Sequence, residues 1–112
     1  MDLSKANKKV AREVIEKGLE LEFANGLKKA DEALQKWKYH DLGNKEAYHL
    51  LFKTIIDFNE HIAARYDAMT GSKYFTTVAD LFTDRIITEA DIKDFSPEII
   101  EQLRETKRLL KK

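Results

Sequence analysis

Apolar residues recur every three or four positions along most of this chain, and few residues interrupt that spacing. The clearest run consists of Leu19, Phe23, Gly26, Ala30, Ala33 and Trp37. Its steps of four, three, four, three and four residues form the heptad pattern of a helix that packs along one side. Helix-favouring Ala, Leu, Glu and Lys dominate the first part of the chain, and the 112 residues include only one Pro and four Gly. The pattern predicts an all-α protein.

Two segments predict a long antiparallel helical hairpin. The first helix begins near Ser4, a suitable N-cap, and covers about residues 4–40, while the second covers about residues 45–70. We expect Gly43 to close the first helix in the left-handed conformation and Asn44 to cap the second. Because the loop is so short, the two helices should be antiparallel neighbours.

The first helix contains two interior glycines, which leave its continuity open. Gly18 and Gly26 each cost about 1 kcal/mol relative to Ala, so they favour either a kink or a close approach of another element. Gly26, Ala30 and Ala33 face larger side chains of the second helix if the hairpin pairs outward from its loop. That complementarity favours one continuous helix that packs closely along its partner.

The last forty residues predict two or three shorter helices that pack on the hairpin. One covers about residues 73–84, and another begins at Thr88, with Asp91 at the capping-box position. A final helix begins at Ser96-Pro97, because Ser is a favourable cap and Pro suits the first helical position. We therefore expect a single domain over residues 1–112, with a hairpin over 4–70 and a C-terminal helical subregion over 72–112.

A second apolar stripe in the N-terminal part of the first helix predicts an interface. It consists of Leu3, Val10, Val14 and Leu21. At about 100° per residue it lies nearly opposite the heptad run, so the second helix cannot cover both stripes. Either the C-terminal helices cover it or a second chain does, since exposed apolar stripes mark interfaces. We expect a homodimer.

Asn59 is the one strongly polar residue inside the apolar side of the second helix. It lies between Ile55 and Ile62 in helical projection. A buried amide without a partner costs roughly 1–3 kcal/mol. Asn59 therefore either bonds another buried group or lies in an interface, where a single polar residue can set the register of packed helices.

Two further positions near the end of the first helix predict a surface patch. Tyr39 and His40 lie off the heptad run, next to the loop. Aromatic residues with polar groups are favoured at interfaces. Termination of the helix is an alternative explanation for both residues.

No pattern in the sequence indicates an enzyme. There is no Cys, no Gly-rich phosphate loop and no Gly-x-Ser-x-Gly motif. Glu46 and His49 have the spacing of a bundle-type metal site, but such sites need two of these motifs, and this one points outward. Asp57 and His61 could pair on the solvent side as ordinary helix decoration. We expect no catalytic function and no cofactor, with a metal-binding bundle or an enzyme as remote alternatives.

Charge limits the choice of partners. The chain has 20 Lys+Arg and 20 Asp+Glu, so a nucleic-acid-associated protein is an alternative that net charge does not support. Such a protein would use the basic ends, which contain Lys5, Lys8, Lys9 and Arg12, and then Arg104, Lys107, Arg108, Lys111 and Lys112. No apolar run approaches the roughly 18 residues of a membrane span. The sequence predicts a soluble cytoplasmic protein that acts on other proteins through a helical surface.

Overall fold

The computed structural model describes residues 2–110, and every regular element in that range is helical. The four α-helices are α1 (Lys5–Lys38), α2 (Asn44–Tyr66), α3 (Tyr74–Thr83) and α4 (Pro97–Leu110). Two short 3₁₀ turns, Gly71–Lys73 and Glu89–Ile92, precede and follow α3. This order confirms the predicted fold class, a long helical hairpin followed by shorter helices.

Helix α1 is continuous through both of its interior glycines. It begins after Ser4, whose hydroxyl oxygen accepts a hydrogen bond from the backbone N–H of Asn7 at 3.1 Å. That bond satisfies one of the free donors of the first helical turn, as expected of a Ser cap.

The loop between α1 and α2 closes in a different way from the one predicted. His40, not Gly43, takes the left-handed conformation, with φ 62°, and the N–H of Asp41 then bonds the carbonyl of Lys36 at 2.8 Å. Gly43 has φ −70° and is the residue that precedes α2. Asn44 is the first residue of α2, so its side chain is free to accept a hydrogen bond from the Trp37 indole at 2.7 Å.

The chain forms two compact units, whose boundaries lie inside α1 and directly after α2. The first unit combines the chain up to Leu21 with the chain from Ala68 onward, and the second unit is Glu22–Asp67. This division differs from the predicted boundary near residue 71. That residues 1–112 fold as a single domain stays a prediction.

The first unit has a core of fully buried aliphatic side chains. These are Val78, Leu81, Ile87, Ile92 and Leu103. The N-terminal half of α1 packs closely on this core, because a Cβ atom at Gly18 would lie only 2.6 Å from a methyl carbon of Leu81. The shorter helices therefore pack on the N-terminal half of α1.

Polar contacts join the start of α1 to the segment that leads into α4. Asn7, which is 8% exposed, donates from its amide to the Ser96 hydroxyl at 3.1 Å and accepts from the Ser96 backbone N–H at 3.0 Å. The predicted capping box is also present, with the Thr88 backbone N–H bonding Asp91 at 2.8 Å. Lys17 of α1 pairs with the same Asp91 carboxylate.

The second unit is the helical hairpin itself. Gly26 of α1 faces the ring of Phe58 of α2, and that ring also packs edge-on against Phe23, with 5.6 Å between the ring centroids. Ala33 and Ala47 are buried along the same line of contact. Small side chains at these positions let the two antiparallel helices approach closely.

Candidate functional site

One side of the hairpin carries large apolar side chains that remain exposed. They are Phe23, Leu27, Leu34 and Trp37 of α1, together with Tyr48, Phe52, Ile55 and Ile56 of α2. We call these eight residues the open face. Each is between 38% and 73% exposed. Several were expected to be buried between the two helices, but a pair of helices shares only one line of contact, so residues beside that line stay in solvent.

The open face is continuous across both helices. With Gly26 as reference, the open-face residues Phe23, Leu27 and Leu34 are rotated by roughly 60–100° around α1. With Phe58 as reference, Tyr48, Phe52 and Ile55 of α2 are rotated by roughly 60–120° in the same sense, and Ile56 lies at the outer edge of the face at about 160°. Because the helices are antiparallel, equal rotations turn both sets toward the same side of the hairpin. A depression of about 270 Å³ lined by Leu34, Trp37, Asn44, Ala47, Tyr48 and Leu51 spans the two helices.

The opposite side of the hairpin is polar. Lys53 and Asp57 form an ion pair there, with 2.7 Å between the Nζ and Oδ2 atoms. The sequence spacing had suggested that Asp57 could pair with His61. In the structure Asp57 pairs with Lys53 instead. The hairpin is thus amphipathic as a whole, with one charged side and one apolar side.

The open face is large for a protein of this size. Since one aromatic side chain contributes roughly 150–250 Å², eight side chains exposed to this extent amount to on the order of 700 Å². The largest apolar patch on a typical soluble monomer is about 300–600 Å², and larger patches mark binding surfaces.

Asn59 lies at the C-terminal end of the α2 part of this surface, one turn after Ile55. It is exposed, which rules out the buried hydrogen bond that was one of its two interpretations. In helical projection it falls between Ile55 on one side and Ala63 and Ile56 on the other. The other interpretation, a polar residue within an interface, stays a prediction.

A buried carboxylate lies at the end of the hairpin farthest from the loop. The side chain of Glu22 is 5% exposed and accepts three hydrogen bonds from α2. Tyr66 donates its hydroxyl at 2.6 Å, His61 Nε2 lies at 2.6 Å, and Arg65 Nη1 donates at 2.8 Å. We call these four residues the Glu22 cluster.

The Glu22 cluster is arranged to keep its carboxylate ionised. Burial acts to raise the pKa of Glu22, but the hydrogen bonds from Tyr66 and His61 and the charge of Arg65 outweigh it, so this pKa lies below its ordinary value. Burial and then the bond to Glu22 raise the pKa of Tyr66, which stays protonated as a donor. All three neighbours donate toward one anion, which is the arrangement of a charge-satisfied structural contact.

The four apolar residues of the predicted N-terminal interface differ in how far they are buried. Leu3 and Val14 are buried, and Val10 is half-buried. The C-terminal elements cover this part of α1, as the Asn7–Ser96 bonds show, so the surfaces of Leu3 and Val14 are not open to a second chain. Leu21 is 37% exposed. The homodimer prediction must therefore rest on the open face instead.

The predicted Tyr39 and His40 patch is at the surface. Both residues are exposed beside the loop, and the left-handed conformation of His40 identifies it as the residue that ends α1. Their role in recognition stays a prediction.

Several basic residues of α4 have contacts within residues 2–110. Ser96, at the start of α4, lies beside Asn7, whereas Lys107, near the end of α4, lies over the Phe82 ring at 4.2 Å. Arg104 also binds Glu89 at 2.7 Å, and Arg108 pairs with Glu105. Lys111 and Lys112 lie outside the described residues.

Residues 2–110 contain neither a side-chain cluster suited to a metal ion nor a helix suited to crossing a bilayer. Glu46 and His49 are exposed, and no group of three or more His, Asp or Glu side chains between residues 2 and 110 could hold an ion. No helix in that range is both long and apolar enough to cross a bilayer. That the chain is not an enzyme stays a prediction.

Sequence reasoning missed Glu22, although a signal for it exists. Glu22 is one turn before Gly26 and three residues after Leu19, which places a charge on the packed side of α1. At the matching level of α2 stand three hydrogen-bond donors, His61, Arg65 and Tyr66. An acid on a packed helix side opposite such donors predicts a buried ion pair.

No protein-family model, curated protein or solved structure matches this chain, so its function must be argued from these surfaces.

Proposed function

We propose that this chain is a small interaction protein that acts through the open face and pairs with a second copy of itself. The observation that carries this proposal is the continuous set of eight large, exposed apolar side chains on one side of the hairpin. A contiguous apolar patch of this size on a protein surface marks an interaction site. A cytoplasmic location is part of the proposal.

Pairing of two hairpins would solve the packing problem that a single hairpin leaves open. Two amphipathic hairpins placed apolar side to apolar side form a four-helix bundle, in which each helix packs on two neighbours. Together the two open faces would bury on the order of 1,400 Å², which lies within the roughly 1,200–2,000 Å² of stable specific interfaces.

Light scattering coupled to size-exclusion chromatography tests this proposal across a range of protein concentrations. We expect twice the mass of the 13.0 kDa chain. Phe52→Glu places a charge in the open face and should shift the protein to one chain, because a buried unpaired carboxylate is strongly unfavourable.

Leu109→Glu is the matched control, because Leu109 is 62% exposed on α4, outside the hairpin. It should leave the dimer unchanged. A wild-type mass that stays at one chain up to millimolar concentration would contradict self-association, and an equal effect of the two substitutions would contradict the role of the open face.

A further inference from the structure

Three of the exposed apolar residues of α2 form a heptad pattern together with Asn59. Tyr48, Phe52, Ile55 and Asn59 are spaced by four, three and four residues, so they alternate between the d and a positions of a heptad. Asn59 occupies an a position, where a single asparagine sets the register of paired helices. Tyr48, which is 68% exposed, supplies the only other side-chain polar group of the four.

We infer that α2 packs antiparallel against α2 of the second copy, with Asn59 opposite Tyr48 of that copy and Phe52 opposite Ile55. This inference rests on the proposed function, because it specifies the geometry of the same dimer. The two-fold axis then passes between Lys53 and Thr54. By symmetry, the amide–hydroxyl pair occurs twice, once on each side of a central apolar layer.

Other registers of the same antiparallel pair are less favourable. Shifting by one heptad step in one direction places Asn59 opposite Ile55, which buries the amide without a partner. Shifting in the other direction places Tyr48 opposite Phe52 and Ile55 opposite Lys45, and leaves Asn59 beyond the start of α2 of the second copy. Only the inferred register buries all four residues and gives the amide a polar partner.

The first helix fits the same axis. The contacts of Gly26 with Phe58 and of Trp37 with Asn44 place Ala30 at about the level of Lys53 and Thr54. The axis therefore passes near Ala30, a small residue that allows close approach. It brings Leu27 next to Leu34 of the second copy, and Phe23 next to Trp37. The open face is thus complementary to itself under this rotation.

A second symmetric arrangement is possible, in which α2 packs on α1 of the other copy and both loops lie at the same end. There Asn59 would lie level with Phe23 of the second copy and would have no polar partner. The two arrangements differ most in the distance between loops, and that difference provides the test.

The experiment measures the distance between spin labels attached to Asp41→Cys in the loop. The chain has no Cys, so the label is unique, and Asp41 is exposed. In the inferred arrangement Asp41 lies level with Tyr66 of the second copy, so the labels are about 37 Å apart along the helix axis. In the alternative arrangement they are roughly 10–20 Å apart, because only the width of the bundle separates them.

Substitutions then test the asparagine itself. Asn59→Leu and Tyr48→Phe, both made in the labelled chain, should keep the dimer mass but replace the single distance by several, because each removes one half of the polar pair. Asn25→Leu is the control, because Asn25 is exposed on α1 away from the open face. It should keep the single long distance.

The possible failures are distinguishable. A dimer with the short loop distance overturns the inferred arrangement and leaves the proposed function standing. A dimer whose long distance survives Asn59→Leu and Tyr48→Phe unchanged overturns the role of the polar pair. A monomer with no intermolecular distance overturns the proposed function, and the open face then belongs to a different protein.

Discussion

A Cβ atom at Gly26 would lie 2.8 Å from the nearest ring carbon of Phe58. The Phe58 ring also packs edge-on against Phe23, with 5.6 Å between the ring centroids. Ala would favour the helix more than Gly at an interior position of α1. Glycine at position 26 is therefore explained by packing, because a larger residue would collide with the Phe58 ring.

Gly26→Ala should therefore destabilise the protein. Helix propensity favours Ala by about 1 kcal/mol, but forcing a methyl group against a packed ring typically costs 1–3 kcal/mol. We expect a net loss of about 1 kcal/mol in the free energy of unfolding, measured by urea denaturation. In a Phe58→Leu background, where the ring is absent, the same substitution should be neutral or stabilising. A loss of equal size in both backgrounds would contradict the packing explanation.

Asn7→Ala should destabilise the first unit. It removes both hydrogen bonds to Ser96 and leaves the backbone N–H at the start of α4 without its acceptor. An unsatisfied buried donor costs about 1–3 kcal/mol, and we expect a loss of unfolding free energy in that range. Asn25→Ala, at an exposed position of the same helix, is the control and should change stability by less than about 0.5 kcal/mol.

Glu22→Gln should lower stability by about 1–3 kcal/mol at pH 7, because the neutral amide cannot satisfy three donors as the carboxylate does. The loss should depend on pH. The folded pKa of Glu22 lies below its unfolded value, so the stabilising contribution is fully present above the ordinary Glu pKa of about 4.3. It is lost as the pH falls through the folded pKa, where the protonated acid resembles the amide.

The test is denaturant unfolding of the wild type and of Glu22→Gln between pH 7 and pH 2.5, at one protein concentration. The two free energies of unfolding should become equal at low pH. Glu20→Gln is the control, since Glu20 is exposed on the same helix. A difference between wild type and Glu22→Gln that stays constant over the whole pH range would show that ionisation of Glu22 contributes nothing.

His40→Gly should stabilise the hairpin by about 1 kcal/mol. His40 has φ 62°, a left-handed conformation that glycine adopts without the steric cost of a Cβ atom. His49→Gly, in the interior of α2, should have the opposite effect by a similar amount. Thermal unfolding of the two variants provides the measurement. If His40→Gly and His49→Gly both stabilised the protein, the cause would be loss of the imidazole side chain and not the backbone conformation of His40.

Local signals in the sequence were sufficient for the helices and most of their ends. Heptad spacing predicted α1 and α2, Ser4 predicted the start of α1, and the Thr88–Asp91 capping box is present as expected. These features depend on residues within one or two helical turns of each other, so their energetics are contained in a short stretch of sequence. The loop between α1 and α2 was the exception. His40 takes the left-handed conformation that Gly43 was expected to take, and the predicted cap at Asn44 was wrong, because Gly43 precedes α2 and Asn44 is its first residue.

The candidate site followed from the sequence only in part. An amphipathic hairpin with Asn59 on its apolar side was predictable, but which stripe the chain itself would cover was not. Leu3, Val14 and Phe52 look alike in sequence as members of apolar helical stripes, and all were available for an interface.

What the sequence by itself determined is the set of helices and the direction in which each apolar stripe faces, because helical periodicity acts over a few residues. Which of the apolar stripes are covered by other parts of the same chain was decided only by the tertiary structure. The N-terminal half of α1 contacts Leu81 of α3 and Ser96 beside α4, while the hairpin has one line of contact and leaves its second apolar side in solvent. That choice depends on contacts between residues as far apart as Asn7 and Ser96, and no local pattern encodes them.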